Sequence, residues 1–173
     1  MILRGGIFFT AIPATLEDGN IRLRPLRVSD AAFLKTGFGG EESLKANGLC
    51  SPLSLSGNAV RRWIKRTYDL AWCIEIDLQP AGFAGVLNLR PGESAEASLI
   101  VFRRELRRRG HGGRVFRMIA ETLARKTGVK RFVVRVRADN RAALSFWRKT
   151  GFEYTGCDNG TSTMAFDLRP IPD

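Results

Sequence analysis

Apolar and basic residues alternate over 21–26, where Ile21, Leu23 and Leu26 interleave with Arg22 and Arg24. That period of two predicts a half-buried strand, and Pro25 places it at a sheet edge or strand end. Ser29-Asp30 offers a cap for a short helix over 31–36. Residues 37–58 are rich in Gly, Ser and Pro without a period, which predicts substrate-facing loops. Asn58 then caps a helix over 59–70, with Val60, Trp63, Ile64 and Tyr68 on one face. Two strands over 71–78 and 82–89 form a hairpin around Gln79-Pro80, and 95–102 is a further strand carrying Leu99, Ile100, Val101 and Phe102. From Gly113 to Lys126, Val115, Phe116, Ile119 and Leu123 recur at three- and four-residue steps, so one helix face is buried and Arg114, Arg117 and Arg125 stay in water. Gly128 stops this helix. Over 132–136, buried Phe132, Val134 and Val136 alternate with outward Arg131, Arg135 and Arg137. A helix over 140–150 ends at Gly151, and strands over 152–157 and 162–168 pair across Asp158-Asn159-Gly160, the strongest hairpin signal in the chain. This order of elements predicts an α/β sandwich with a mixed, mostly antiparallel sheet.

Between the strand at 95–102 and the following helix stands Arg107-Arg108-Arg109-Gly110-His111-Gly112-Gly113. Glycines let the backbone bend tightly and approach a ligand, consecutive amides turn inward, and the helix start adds positive potential, which together make a phosphate cradle. Downstream, Asn140, Ala143, Trp147, Gly151 and Phe152 lie in the pattern Asn-x-x-Ala-x-x-x-aromatic-x-x-x-Gly-Phe. The two motifs, in this order, resemble the GNAT superfamily of N-acyltransferases. The resemblance runs from Ile21 to Leu168 and is close over 95–152. The opening Ile21-Arg22-Leu23-Arg24-Pro25-Leu26-Arg27-Val28-Ser29-Asp30 is similar to the subgroup of ribosomal-protein and other amine acetyltransferases. It implies a GNAT-like α/β/α fold with a six- to seven-stranded mixed sheet and about four helices. The domain would span 21–169, preceded by an N-terminal arm over 1–20.

The 173 residues, 44% of them hydrophobic, suit one domain with a proper core. Three cysteines, Cys50, Cys73 and Cys157, are odd in number and contain no Cys-x-x-Cys pair, so neither a disulfide framework nor a zinc site is indicated and a reducing cytoplasm is expected. Residues 6–14 follow Arg4 like a short leader, but Thr10 and Pro13 interrupt them and an arm packed on the domain is the plainer reading. No run approaches the roughly 20 apolar residues needed to cross a bilayer. The net charge of +11 is concentrated between Arg103 and Arg137, where 13 Lys and Arg face Glu105 and Glu121 alone. That field suits a polyanionic ligand such as coenzyme A, with its pyrophosphate and 3′-phosphate; it also suits nucleic acid, and an Arg-favouring genome would contribute to it.

In the GNAT family the glycine loop binds the pyrophosphate of acetyl-CoA and the pantetheine arm lies beside the preceding strand. The resemblance thus assigns Phe102, Arg103, Arg107, Arg108, Arg109, Gly110, His111, Gly112, Gly113 and Arg114 to the co-substrate, largely through their backbone, with amides of 100–103 facing the oxyanion. His111, between the glycines, supplies an amide rather than a base. Asn140 and Trp147 are expected near the pantetheine, although capping alone would explain Asn140 and core packing would explain Trp147. Glu96, eleven positions before Arg107, resembles the general-base Glu of several family members; its plain alternative is a strand carboxylate paired with an Arg. Trp147 stands where many members carry a proton-donating Tyr, and an indole N–H is no acid near neutrality. Ser145, Tyr154 and Tyr68 are the replacements considered, and a thiol near 8.5 is a tolerable leaving group without one. The expected function is transfer of an acetyl group from acetyl-CoA to a primary amine, on a small molecule or a protein N-terminus, by direct attack in a ternary complex. Glu41 and Glu42 are acids that would attract such an amine. No metal and no membrane are expected, and the protein is read as a monomer or homodimer. Two alternatives stand beside this: an acyl-CoA-binding sensor without catalysis, and a basic nucleic-acid-binding protein, the latter disfavoured by the absence of a helix-turn-helix, zinc finger or aromatic stacking strip.

Overall fold

The computed structural model describes residues 12–39 and 57–168, with the side chains of 57, 58, 60 and 61 left aside. The acids Glu41 and Glu42 and most of the 37–58 segment lie outside the described residues. The alternation at 21–26 becomes β2 (Ile21–Pro25), paired on one side with β1 (Leu16–Asp18) and on the other with β3 (Leu70–Ile76). β4 (Gln79–Arg90), β5 (Ser94–Val101), β6 (Arg131–Arg137), β7 (Glu153–Asp158) and β8 (Thr161–Asp167) complete one sheet in the order β1-β2-β3-β4-β5-β6-β8-β7. It has eight strands rather than six or seven because Leu16–Asp18 folds back as an edge strand. Only β5 and β6 run parallel.

The hairpin between β3 and β4 turns two residues earlier than its Gln79-Pro80 signal suggests. Asp77 (φ 51°) and Leu78 (φ 62°) form the two-residue loop, with positive φ at both positions as a primed turn requires. Pro80 instead enters β4 opposite Glu75, beside a register shift between Ile74 and Glu75, where a bulge tolerates its missing N–H. The hairpin joining β7 and β8 turns at Asn159 (φ 47°) and Gly160 (φ 73°) as expected.

Among the described residues four helices cover the sheet: α1 (Ala31–Gly39) after a 3₁₀ turn at Val28–Asp30, α2 (Gly57–Thr67), α3 (His111–Thr127) and α4 (Arg141–Lys149). α2 starts one residue before Asn58, its expected cap. On one face Leu34 and Phe38 of α1, Ile64 of α2 and Phe83 of β4 form a cluster. On the other, Val115, Phe116, Ile119 and Leu123 of α3 and Trp147 of α4 meet Phe132, Val134 and Met164 of the sheet. α4 ends in a Schellman motif: the amides of Gly151 and Phe152 donate to the carbonyls of Arg148 and Trp147 (both 3.0 Å), and the Phe152 and Trp147 rings meet at 4.8 Å.

The polar residues of β2 are not all at the surface. Arg24 is 4% exposed and holds Asp30 with two hydrogen bonds (Nη1–Oδ2 2.7 Å, Nη2–Oδ1 2.8 Å) and Glu75 with a third (Nε–Oε1 2.5 Å). Burial alone would raise the Asp30 carboxyl, but Arg24 and the Arg27 amide (2.6 Å) outweigh it and hold the group below the usual carboxylate range. Asp30 thus contributes stability that is present above pH 4 and is lost as pH falls through its depressed value. Arg24→Met strands two buried carboxylates and should cost about 3–5 kcal/mol, or roughly 10 °C in Tm. The Tm gap between wild type and variant should narrow as thermal denaturation is repeated from pH 7 towards pH 4, because protonation relieves the stranded carboxylates of the variant over a range in which Asp30 of the wild type stays ionised.

Candidate active site

β5 and β6 pair through Ser94–Arg131, Ala95–Phe132 and Glu96–Val133 and then part. β5 nevertheless keeps pairing with β4 as far as Gly82–Val101, and β6 keeps pairing with β8 along its whole length. From residue 97 onward β5 is therefore laddered on one side only. The amides of Phe102 and Arg103, expected to face an oxyanion, donate instead to the Ala81 carbonyl on β4 (2.9 and 3.4 Å). By strand alternation the Ile100 amide also points to β4, whereas those of Leu99 and Val101 point into the split.

The split opens towards the glycine loop. Arg107 holds the strand end, its Nε donating to the Val101 carbonyl (2.8 Å) and its Nη2 to that of Phe102 (3.3 Å). Arg108 (φ 61°) and Gly110 (φ 82°) are left-handed, which turns the chain into α3. The first helical bond of this turn runs from the Arg114 amide to the Gly110 carbonyl (3.2 Å), so the amides of His111, Gly112 and Gly113 lie at the open N-terminus of a 17-residue helix. A Cβ on Gly112 would stand 3.0 Å from the Phe146 ring, so a side chain there would press on α4 and the ring would have to give way by a few tenths of an ångström. His111 is half-buried, with Nδ1 buried and without a partner. Arg108 and Arg109 are exposed at the rim, and Arg103 pairs with Glu105 at 2.7 Å. The Arg114 guanidinium turns away from the loop, binding Asp18 Oδ2 and its carbonyl (both 2.8 Å), and so ties α3 to β1.

Glu96 sits where the strands part, on the sheet face opposite α3, with its side chain 13% exposed. Asn88 Nδ2 donates to its Oε2 (3.0 Å), and Arg135 Nε approaches the same oxygen at 3.7 Å. Asn88 reaches it because a bulge between Leu87 and Arg90 puts Asn88 at φ 52°, with the Leu89 amide bound to Asp69 Oδ2 (2.9 Å). Two residues along β5, Ser98 Oγ accepts from the Tyr68 hydroxyl (3.3 Å). The Tyr68 ring lies directly on Gly85, where any Cβ would overlap it. Burial pushes the Tyr68 phenol up, the Glu96 charge adds to this, and the Ser98 hydrogen bond opposes it. Periodicity marks Tyr68 as part of a helical face, and it was one of three replacements for the missing acid; Asn88 carries no sequence signal, because its role arises from the bulge.

The α4 residues occupy the other side of the sheet. Asn140 caps the helix, its Oδ1 accepting from the Ala143 amide (3.1 Å). Trp147 is 5% exposed and packs edge-on against Phe116 (5.7 Å), Phe146 and Phe152 (both 4.8 Å), so the core accounts for it. Ser145 is exposed on α4. Tyr154 is 59% exposed on edge strand β7, with β8 and β6 between it and β5, about 14 Å across three strand spacings. The structure thus brings Glu96, Asn88, Ser98, Tyr68 and Arg135 together and leaves Ser145 and Tyr154 apart from them.

Among the described residues no helix is long and apolar enough to cross a membrane, and no cluster of three or more His, Cys, Asp or Glu side chains is arranged to hold a metal. The family model for the acetyltransferase (GNAT) family matches residues 47–152. No curated protein matches the chain. Among solved structures, the chain is similar to RimL, a ribosomal L7/L12 alpha-N-protein acetyltransferase in complex with coenzyme A (19% identity, TM-score 0.73, 91% of this chain and 97% of that one). It is similar also to a probable GNAT acetyltransferase from Chromobacterium violaceum (20% identity, TM-score 0.75, 96% and 93%). A third likeness is to the aminoglycoside acetyltransferase AAC(6′)-Ib in complex with coenzyme A (15% identity, TM-score 0.69, 85% and 94%). At these identities the likeness establishes the fold.

Tyr68 and Tyr154 are the only tyrosines in the chain, which makes the Tyr68 environment measurable. Ultraviolet titration should show a phenol ionising above the ordinary value near 10, and Tyr68→Phe should remove that component.

Proposed function

Because the chain belongs to the GNAT acetyltransferase family, we propose that it moves an acetyl group from acetyl-CoA directly onto a primary amine within a ternary complex. The observation that carries this reading is the one-sided ladder of β5 beyond Glu96, which ends at an open helix N-terminus. An extended chain with amides of its own fits the Leu99 and Val101 edge, and a pyrophosphate fits the amides of His111, Gly112 and Gly113, with Arg108 and Arg109 near its charge. Phe102, Arg103 and Arg107 shape the approach between them, and Asn140 fixes the start of α4. When bound, acetyl-CoA supplies an activated acyl carbon and a thiol leaving group.

An alkylamine is almost wholly protonated at neutral pH, so the nucleophile must lose a proton. Glu96 is suited to accept it, directly or through a water, because Asn88 orients the carboxylate at Oε2 and the side chain itself is only 13% exposed. The freed nitrogen attacks the thioester carbonyl, the Leu99 or Val101 amide stabilises the charge on oxygen, the carbon–sulfur bond breaks and the thiolate departs. Tyr68 gives its hydroxyl hydrogen to Ser98 on this face of the sheet, and a thiol with an ordinary value of about 8.5 leaves without an acid at the Trp147 position. The acceptor is a small-molecule amine or a protein N-terminus, and the reaction belongs in the cytoplasm, where unpaired thiols stay reduced.

Release of free CoA across a panel of polyamines, amino acids, aminoglycosides and protein N-terminal peptides tests the activity. Steady turnover with any of them sets aside a non-catalytic sensor. Glu96→Gln should lower kcat by on the order of 100-fold near pH 7 and by less as pH rises and the free amine becomes common. An unchanged rate and pH profile would remove Glu96 as the base.

A further inference from the structure

Arg131, Arg135 and Arg137 leave β6 on the same face as Glu96, since Val133, their neighbour in that alternation, pairs with Glu96. Arg131 is held by both carboxylate oxygens of Asp167 (2.6 and 2.7 Å). Arg137 is held in the same way by Asp139 (2.9 and 2.6 Å). Among the described residues, Arg135 between them has one charged contact, the 3.7 Å approach of Nε to Glu96 Oε2, which is too long for a hydrogen bond. Its side chain is 62% exposed, and its partner across the ladder on β8 is the neutral Thr163. Arg135 therefore lines the β6 wall of the split, facing the wall that carries Glu96 and Ser98.

A guanidinium here opposes the arrival of a simple ammonium ion, because both cations compete for the same carboxylate. The opposition reverses if the incoming amine brings its own anion. Arg presents a planar fork that matches a carboxylate with two parallel hydrogen bonds, and that fork is uncommitted at Arg135. A carboxylate a few bonds from an amine can reach Arg135 while the nitrogen reaches Glu96, which leaves all four charges paired. We propose that Arg135 determines acceptor specificity, and that the acceptor is an amine with a carboxylate close to the reacting nitrogen. The proposal rests on the acetyltransferase reading above and narrows its substrate class. The chemistry is shared by a free amino acid and by a peptide N-terminus followed by an acidic side chain.

Two matched pairs separate these sources: serine against ethanolamine, and amidated tripeptides beginning Ser-Asp against Ser-Lys. With purified full-length protein, kcat/KM for the carboxylate-bearing member of at least one pair should exceed that of its partner by tenfold or more, and the pair that shows it identifies the source. Arg135→Gln should bring that ratio towards one, chiefly by raising KM for the carboxylate-bearing member, and Arg135→Lys should restore part of it. Turnover of both members at equal efficiency by the wild type, or a ratio untouched by Arg135→Gln, overturns the assignment and leaves the transferase reading intact. No CoA release above the amine-free background with any amine overturns both.

Discussion

A parallel strand pair that lasts three residues is the constraint on which the site depends. Each of its strands is fixed by its other neighbour, β5 by β4 and β6 by β8, so the split cannot close by sliding. A Cβ at Gly82 would collide with the Ile100 carbonyl, so the course of β5 towards the loop also depends on a glycine in β4. The Leu99 and Val101 amides turn into this split, where β6 has already parted from β5. The fold thus holds an unfinished ladder beside a helix N-terminus, the two features on which the proposed acetyl-CoA site rests.

Much of this was legible in the chain because it is local. The period of two over 21–26 and 131–137, the three- and four-residue recurrence in α3, the Gly128 and Gly151 stops and the Asn159-Gly160 turn need only near neighbours to act. What was not legible depends on register. Pro80 looks like a turn residue until a bulge opposite Glu75 gives it a place in β4. Asn88 looks like an ordinary strand residue until a second bulge turns it to φ 52° and onto Glu96. Trp147 occupies a motif position, and only the packing of three rings around it distinguishes filling a core from touching a ligand.

The concentration of positive charge read from the sequence is also redistributed by folding. Asp18, Asp139 and Asp167 all lie outside the Arg103–Arg137 stretch, and the sheet and turns bring them to Arg114, Arg137 and Arg131. Such exposed pairs add little stability. They offset charge at those three positions, whereas Arg108 and Arg109 stay exposed at the loop rim and Arg135 beside the split.

The buried Arg24, Asp30 and Glu75 join the strand before α1 to the strand after α2 across 51 positions of sequence. An ionic knot of this kind accepts little variation in its own members, and it fixes where the intervening chain leaves the sheet and where it returns. The apolar side chains carried by that chain, Leu34, Phe38 and Ile64, are thereby delivered onto Phe83, on the sheet face that also carries Glu96.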